Sequence, residues 1–106
     1  MDSNKTQPSD KEIWLLGVLT NELEVPTSQI AKGVDVSQRT ILCWRQNAEK
    51  KGIPTGTYDG PNRGWIFPPT DLIELFMYVA VNVRPHTYKW MQNVIENYKN
   101  ANSSNF

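Results

Sequence analysis

At 106 residues the chain suits a single domain, with a core too small for a second. Eleven basic and eleven acidic residues cancel, so total charge argues for neither a nucleic-acid partner nor a membrane surface. Cys43 is the one cysteine, which excludes an internal disulfide and a cysteine-based zinc site within one chain.

The charges are nevertheless sorted along the chain. Residues 1 to 25 carry Lys5 and Lys11 against Asp2, Asp10, Glu12, Glu22 and Glu24, a net of −3. Residues 26 to 70 carry Lys32, Arg39, Arg45, Lys50, Lys51 and Arg63 against Asp35, Glu49 and Asp59, a net of +3. The apolar stretch from Leu72 to Val83 is broken by Glu74 and too short to span a bilayer, and no signal-like apolar run occurs near residue 1. A cytoplasmic protein is expected, in the host cytoplasm if viral and associated with the nucleoid.

Residues 1–8 are polar and contain Pro8, as in a flexible N-terminal arm. Ser9 and Glu12 match the S-x-x-E capping box, which predicts a first helix over about Asp10 to Leu23, with Ile13, Leu16, Leu19 or Thr20, and Leu23 inward. Pro26 separates it from a second short helix beginning at Thr27 or Ser28, with Ile30, Ala31 and Val34 inward. A tight turn through Asp35 and Val36 follows. Ser37 is placed to cap a third helix that runs to about Lys51, where Gly52 supplies a left-handed stop.

The stretch "IPTGTYDGPNRGWIFPP" changes character. Its turn chemistry predicts a β-hairpin, Ile53 to Tyr58 and Gly64 to Phe67, with Asp59 to Arg63 as the tip and Pro68 and Pro69 ending it. Thr70 is expected to cap a fourth helix, Asp71 to about Val83, with Leu72, Leu75, Phe76, Val79 and Val83 in an apolar stripe. Pro85 interrupts it. A last amphipathic helix, His86 to about Asn100, buries Trp90 or Met91, Val94, Ile95 and Tyr98, and residues 102–106 form a flexible tail. The aromatic and sulfur side chains of Phe76, Tyr78, Tyr88, Trp90 and Met91 exceed what two helices need for a small core. Either they all pack on the first helix or some form a homodimer interface through the C-terminal helices at 71–101.

In "TSQIAKGVDVSQRTILCWRQ" the helix pair has small Ala31 at the crossing, Val34 and Val36 around the turn, and Ile41 and Trp44 pointing back into the core. At about 100° per residue, Arg39, Cys43, Gln46 and Lys50 fall on the opposite side of the third helix, flanked by Gln38 and Leu42. The pattern resembles the helix-turn-helix family over residues 27 to 46, especially bacterial and phage members with "S-x-R-T-[IV]-x-x-W" in the recognition helix. The stretch "AEKKGIPTGTYDGPNRGWIFPPTDL" looks like the wing region of Mu-type phage transposase and repressor DNA-binding domains. The resemblance implies a mainly α, winged helix-turn-helix fold: a three-helix core plus a hairpin wing over residues 9–70, followed by C-terminal helices. It also implies double-stranded DNA as partner, with the third helix in the major groove.

Carried over onto this sequence, the base-facing positions are Ser37, Gln38, Arg39, Leu42, Cys43 and Gln46. Lys32, Arg45, Lys50 and Lys51 are assigned to phosphates, and Asn62 and Arg63, with Tyr58 beside them, to the wing. Arg45 sits nearer the buried side, where a phosphate contact or an intramolecular ion pair weighs equally with base reading. One departure is Asp35, where the family most often has glycine; aspartate tolerates the left-handed region but adds negative charge near the DNA.

No catalytic, metal or cofactor signature is present. His86, the one histidine, follows a proline at a helix start and has no nucleophile or carboxylate partner nearby in sequence. "GTYDGPNRG" lacks the lysine and following helix of a phosphate-binding loop. A non-enzymatic DNA-binding regulator, or a site-recognition protein of a phage or mobile element, is the expected function. The alternative is a non-catalytic winged-helix adaptor that docks on protein.

Overall fold

A computed structural model describes residues 9–103 of the chain, so the arm expected at residues 1–8 and the end of the tail expected at 102–106 lie outside the described residues. The chain is mainly helical, with a small three-stranded antiparallel sheet. In chain order the elements are α1 (Asp10–Thr20), β1 (Val25–Pro26), α2 (Thr27–Val34), α3 (Gln38–Lys50), β2 (Thr57–Tyr58), the single turn α4 (Gly60–Arg63), β3 (Trp65–Phe67), α5 (Pro69–Tyr78), a π-helical turn (Val79–Val83) and α6 (Pro85–Ser103).

α1 starts where its capping box places it. The Ser9 amide donates to Glu12 Oε1 at 2.8 Å and the Glu12 amide to Ser9 Oγ at 3.3 Å. It stops at Thr20, before Leu23, because Glu22 enters the left-handed region at φ 54° and the Leu23 amide turns back to the Val18 carbonyl at 3.0 Å. The buried face also differs from the expected one. Leu15, Val18 and Leu19 are inward, whereas Ile13, Leu16 and Leu23 are 55 %, 46 % and 47 % exposed. Apolar residues occupy nearly the whole circumference of this helix, so periodicity alone does not select a stripe; packing on α2 and α6 does. Trp14 lies against Gly33 of α2, where an added Cβ would collide with the middle of the indole.

The sheet order is β1-β3-β2, with Val25 opposite Phe67 and Pro26 opposite Ile66 on one side of β3, and Thr57 opposite Ile66 and Tyr58 opposite Trp65 on the other. The hairpin is thus present but shorter than expected: Ile53 to Gly56 does not join the ladder, and the tip curls into α4. Gly56 has φ 79° and its missing Cβ would sit 2.5 Å from the Ile66 carbonyl oxygen, so the close approach of the two segments requires glycine. Its amide donates to Asp71 Oδ2 at 2.9 Å, which fastens the hairpin to the first turn of α5.

α5 begins at Pro69 rather than behind a Thr70 cap, since a proline in the first turn has a preset φ and no amide left orphaned. Leu72, Leu75, Phe76 and Val79 form the buried stripe, but Val83 lies at the surface because the π-helical turn changes the phase of the face. α6 buries Met91, Val94 and Ile95, with Trp90 and Tyr98 half-buried. Phe76 is fully buried, and Tyr78 and Tyr88 pack against the same cluster, so one core runs from α1 through α6.

The approach of α1 to α2 gives a stability test. Gly33→Ala is expected to destabilise the fold by roughly 1–3 kcal/mol, because the Trp14 ring must move out of a packed position. Urea denaturation with an unchanged midpoint would show that the ring relaxes freely.

Candidate nucleic-acid interface

The candidate surface is built on α3, and its start is fixed by two local devices. Asp35 takes φ 59°, ψ 51°, and the Val36 amide donates to the Ala31 carbonyl at 3.0 Å, so the left-handed residue after α2 closes the helix and reverses the chain. Ser37 then caps α3: the Thr40 amide donates to its Oγ at 3.1 Å, and the two hydroxyls lie 2.9 Å apart. At the far end the Gly52 amide reaches the Glu49 carbonyl at 3.0 Å and the Ile53 amide the Ala48 carbonyl at 3.1 Å, with Gly52 at φ 79°. The expected glycine stop is in place.

Ile41, Trp44 and Ala48 pin α3 to the core, and the Tyr88 ring of α6 meets Trp44 edge-on at 5.1 Å. That anchoring leaves Gln38, Arg39, Cys43, Gln46 and Lys50 exposed, with Leu42 half-buried. Asn47, absent from the sequence-derived set, is exposed beside them. Ser37 is exposed too, but its hydroxyl is engaged in the cap.

On one flank of this stripe a groove of about 380 Å³ lies between α3 and the hairpin, lined by Gln38 and Leu42 from α3, Asn62 and Arg63 from α4, and Tyr58 from β2. Ser28, at the start of α2, also reaches it. Five of the positions singled out in the sequence thus meet in one concavity. Arg63 is paired with Asp59 at 3.0 Å, but both side chains are more than half exposed, so water screens the pair and holds the guanidinium only weakly to Asp59.

On the other flank a hollow of about 480 Å³ is lined by Ser37, Thr40, Trp44, Arg84 and Tyr88, among others. Arg84 is an exposed cation beside the start of α3 that sequence reasoning missed. It lies more than forty positions downstream, in the break before Pro85, and no local signal connects it to α3. Lys32 and Lys51 are exposed, but neither lines either concavity.

Arg45 is the residue whose assignment changes. It is 6 % exposed, its guanidinium lies 3.7 Å over the Trp65 ring, and it donates to Thr55 Oγ1 at 3.2 Å and Glu49 Oε1 at 3.1 Å. Its charge is spent inside the protein, on holding the hairpin against α3, so the phosphate role is replaced by the intramolecular pair. The Nε atom is buried without a hydrogen-bond partner, which makes this a costly but orientation-specific contact.

Among the described residues no group of three or more His, Cys, Asp or Glu side chains could hold a metal ion, and no helix is long and apolar enough to cross a membrane.

The Arg45 strut predicts an ordering of variants. Arg45→Ala removes the stack and both hydrogen bonds, for a loss of about 2–4 kcal/mol. Arg45→Met keeps an apolar stem on Trp65 and abolishes the unpartnered Nε, so it should lose less. Chemical denaturation measures both; a methionine variant less stable than the alanine variant would contradict the assignment.

No protein-family model, no curated protein and no solved structure matches the chain, so the character of this surface rests on its own geometry.

Proposed function

We propose that this protein binds double-stranded DNA with sequence preference as a winged helix-turn-helix, α3 entering the major groove and the β2–β3 hairpin acting as the wing on the backbone or in a minor groove. One observation carries the reading: the groove that joins the first turns of α3 to the hairpin tip, alongside the exposed α3 stripe. An α-helix fits a major groove when its outward side chains are long and polar and its ends are free of bulk.

In this reading Arg39 reaches a guanine edge and Gln38 and Gln46 reach adenine edges, since each side chain offers the matching pair of donors or donor and acceptor. Leu42 and Cys43 give small apolar contacts suited to a thymine methyl. Ser37 positions the helix start through its cap rather than reading a base. Lys50, Lys51 and Lys32 serve phosphates, Asn62 and Arg63 carry the wing, and Arg84 joins the phosphate set in place of Arg45. Regulation of transcription, or recognition of a phage or mobile-element site, is the work such a module does.

A second reading, a protein-docking adaptor, draws on the zero net charge and the acidic, partly apolar surface of α1. An anisotropy titration against random duplex at low salt separates the two. Binding at micromolar protein or below supports the DNA reading, and silence at that concentration leaves the adaptor.

Selection of duplexes from a random pool should return a preferred site. On that site Arg39→Ala is expected to cost roughly 1–3 kcal/mol and to relax preference at one base pair; an unchanged binding profile removes Arg39 from base reading. Lys50→Ala should weaken all sequences alike and flatten the salt dependence by about one unit. With about four or five phosphate contacts, log K should fall with log salt at a slope near −4. A slope near zero would exclude phosphate clamping by these cations.

A further inference from the structure

Two adjoining hollows of about 450 and 440 Å³ open between α1 and α6, on either side of Leu16. Their apolar lining comes from Ile13, Leu16 and Gly17 of α1 and Val94, Tyr98 and Ala101 of α6, and no residue of α3 or the hairpin belongs to it. This is the same α1 face that leaves Ile13 and Leu16 about half exposed. A solvent-facing stripe of large aliphatic side chains beside a trough is the form of a helix-docking groove. At its centre Gly17 has nothing within 4 Å of where a Cβ would stand, so a partner side chain or helix backbone can settle there.

The charges at the rim choose the occupant. The charged side chains lining the hollows are Glu12 in α1 and Glu22 just past its end, both carboxylates. Asp10 and Glu24 are exposed further along the same segment, and the lysines nearest in sequence, Lys11 and Lys99, are not part of the lining. A second copy of this groove would oppose carboxylate to carboxylate. The residues preceding Ser9, MDSNKTQP, are polar and supply one large apolar side chain, Met1, so they do not match the trough. From Glu12 to Thr20 the α1 wall of the groove runs about 12 Å, or roughly two helical turns, and Glu22 follows in the turn beyond it.

We propose that the α1–α6 groove binds a cationic amphipathic helix of another protein, with aliphatic residues at i, i+3 or i+4, and i+7 over Leu16 and Gly17, and Lys or Arg at both ends facing Glu12 and Glu22. The surface is distinct from the one assigned to DNA, and it leaves α3 and the hairpin free. The protein then couples one partner on its basic side with another on its acidic side, independently of whether the first is DNA.

The probe is a synthetic fourteen-residue peptide, blocked at both ends, with leucines at that spacing and lysines on the flanks, added to the full chain. The expected result is movement of the Leu16, Gly17, Thr20 and Val94 amide resonances. The peptide with glutamate in place of lysine should fail to bind. Gly17→Leu fills the trough, and with open space around its Cβ and a better helix former in place of glycine it should leave the fold intact. It is expected to weaken the lysine peptide at least about tenfold, with circular dichroism, melting temperature and any duplex binding unimpaired. Glu22→Lys should weaken the peptide several-fold while moving no core resonance.

No resonance shift at about 1 mM peptide, or binding indifferent to Gly17→Leu, overturns the proposal. So does sedimentation showing that the chain self-associates and that Gly17→Leu abolishes it, which assigns the groove to a second copy. Loss of duplex binding in the unmodified chain bears on the DNA reading alone.

Discussion

The contact on which the candidate surface depends is the Arg45 guanidinium held over the Trp65 ring. Arg45 projects from the side of α3 between the core and the hairpin, and Trp65 stands at the start of β3. The sheet itself is slight, with strands of two and three residues, and has little ladder of its own to fix the hairpin's orientation. A planar cation on an indole, forked to Thr55 and Glu49, fixes both the distance and the angle between helix and hairpin in a way that an aliphatic contact would not. Placing it there has a desolvation cost, visible in the unpartnered Nε. The groove lined by Gln38, Leu42, Asn62 and Arg63 has its shape because that distance is set.

The other fixed points are backbone joints. Asp35 in the left-handed region brings α3 off α2 within a three-residue turn, and Gly56 lets the segment before β2 pass close over the Ile66 carbonyl. Gly33 opens a place for Trp14 between α1 and α2. Each joint is local in cause but global in effect, because each determines which face of the next element is offered to solvent. Asp35 also puts a carboxylate beside the proposed DNA surface, where glycine would meet the same backbone demand without the charge. The carboxylate of Asp35 is therefore not something its backbone geometry requires.

A net charge of zero conceals an uneven spread of charge over the surface. Among the described residues the exposed cations Arg39, Lys50, Lys51, Arg63 and Arg84 lie on or around α3, with Lys32, Lys89 and Lys99 on α2 and α6, while the exposed carboxylates Asp10, Glu22 and Glu24 lie at the two ends of α1 and Asp35, Glu49, Asp59, Glu74 and Glu96 are spread over the rest. The exposed aliphatics Ile13 and Leu16 of α1 line a hollow to which α3 and the hairpin contribute no residue.

The sequence by itself determined what depends on neighbours within one or two turns. The Ser9–Glu12 box, the Ser37 cap, the Gly52 stop, the left-handed Asp35 and the outward stripe of α3 are all set by side chains reaching their own backbone or by helical periodicity. Hairpin chemistry around Asp59 to Gly64 was legible for the same reason. Tertiary structure alone decided which of several apolar faces α1 buries, because its hydrophobic residues encircle the helix and the choice belongs to α2 and α6. It decided that Val25 and Pro26 pair with β3 some forty residues away, that Arg84 returns beside the start of α3, and that Arg45 turns inward to Trp65 rather than outward. In those cases the deciding partner is distant in the chain, and no spacing rule along the sequence encodes the closure that brings the two together.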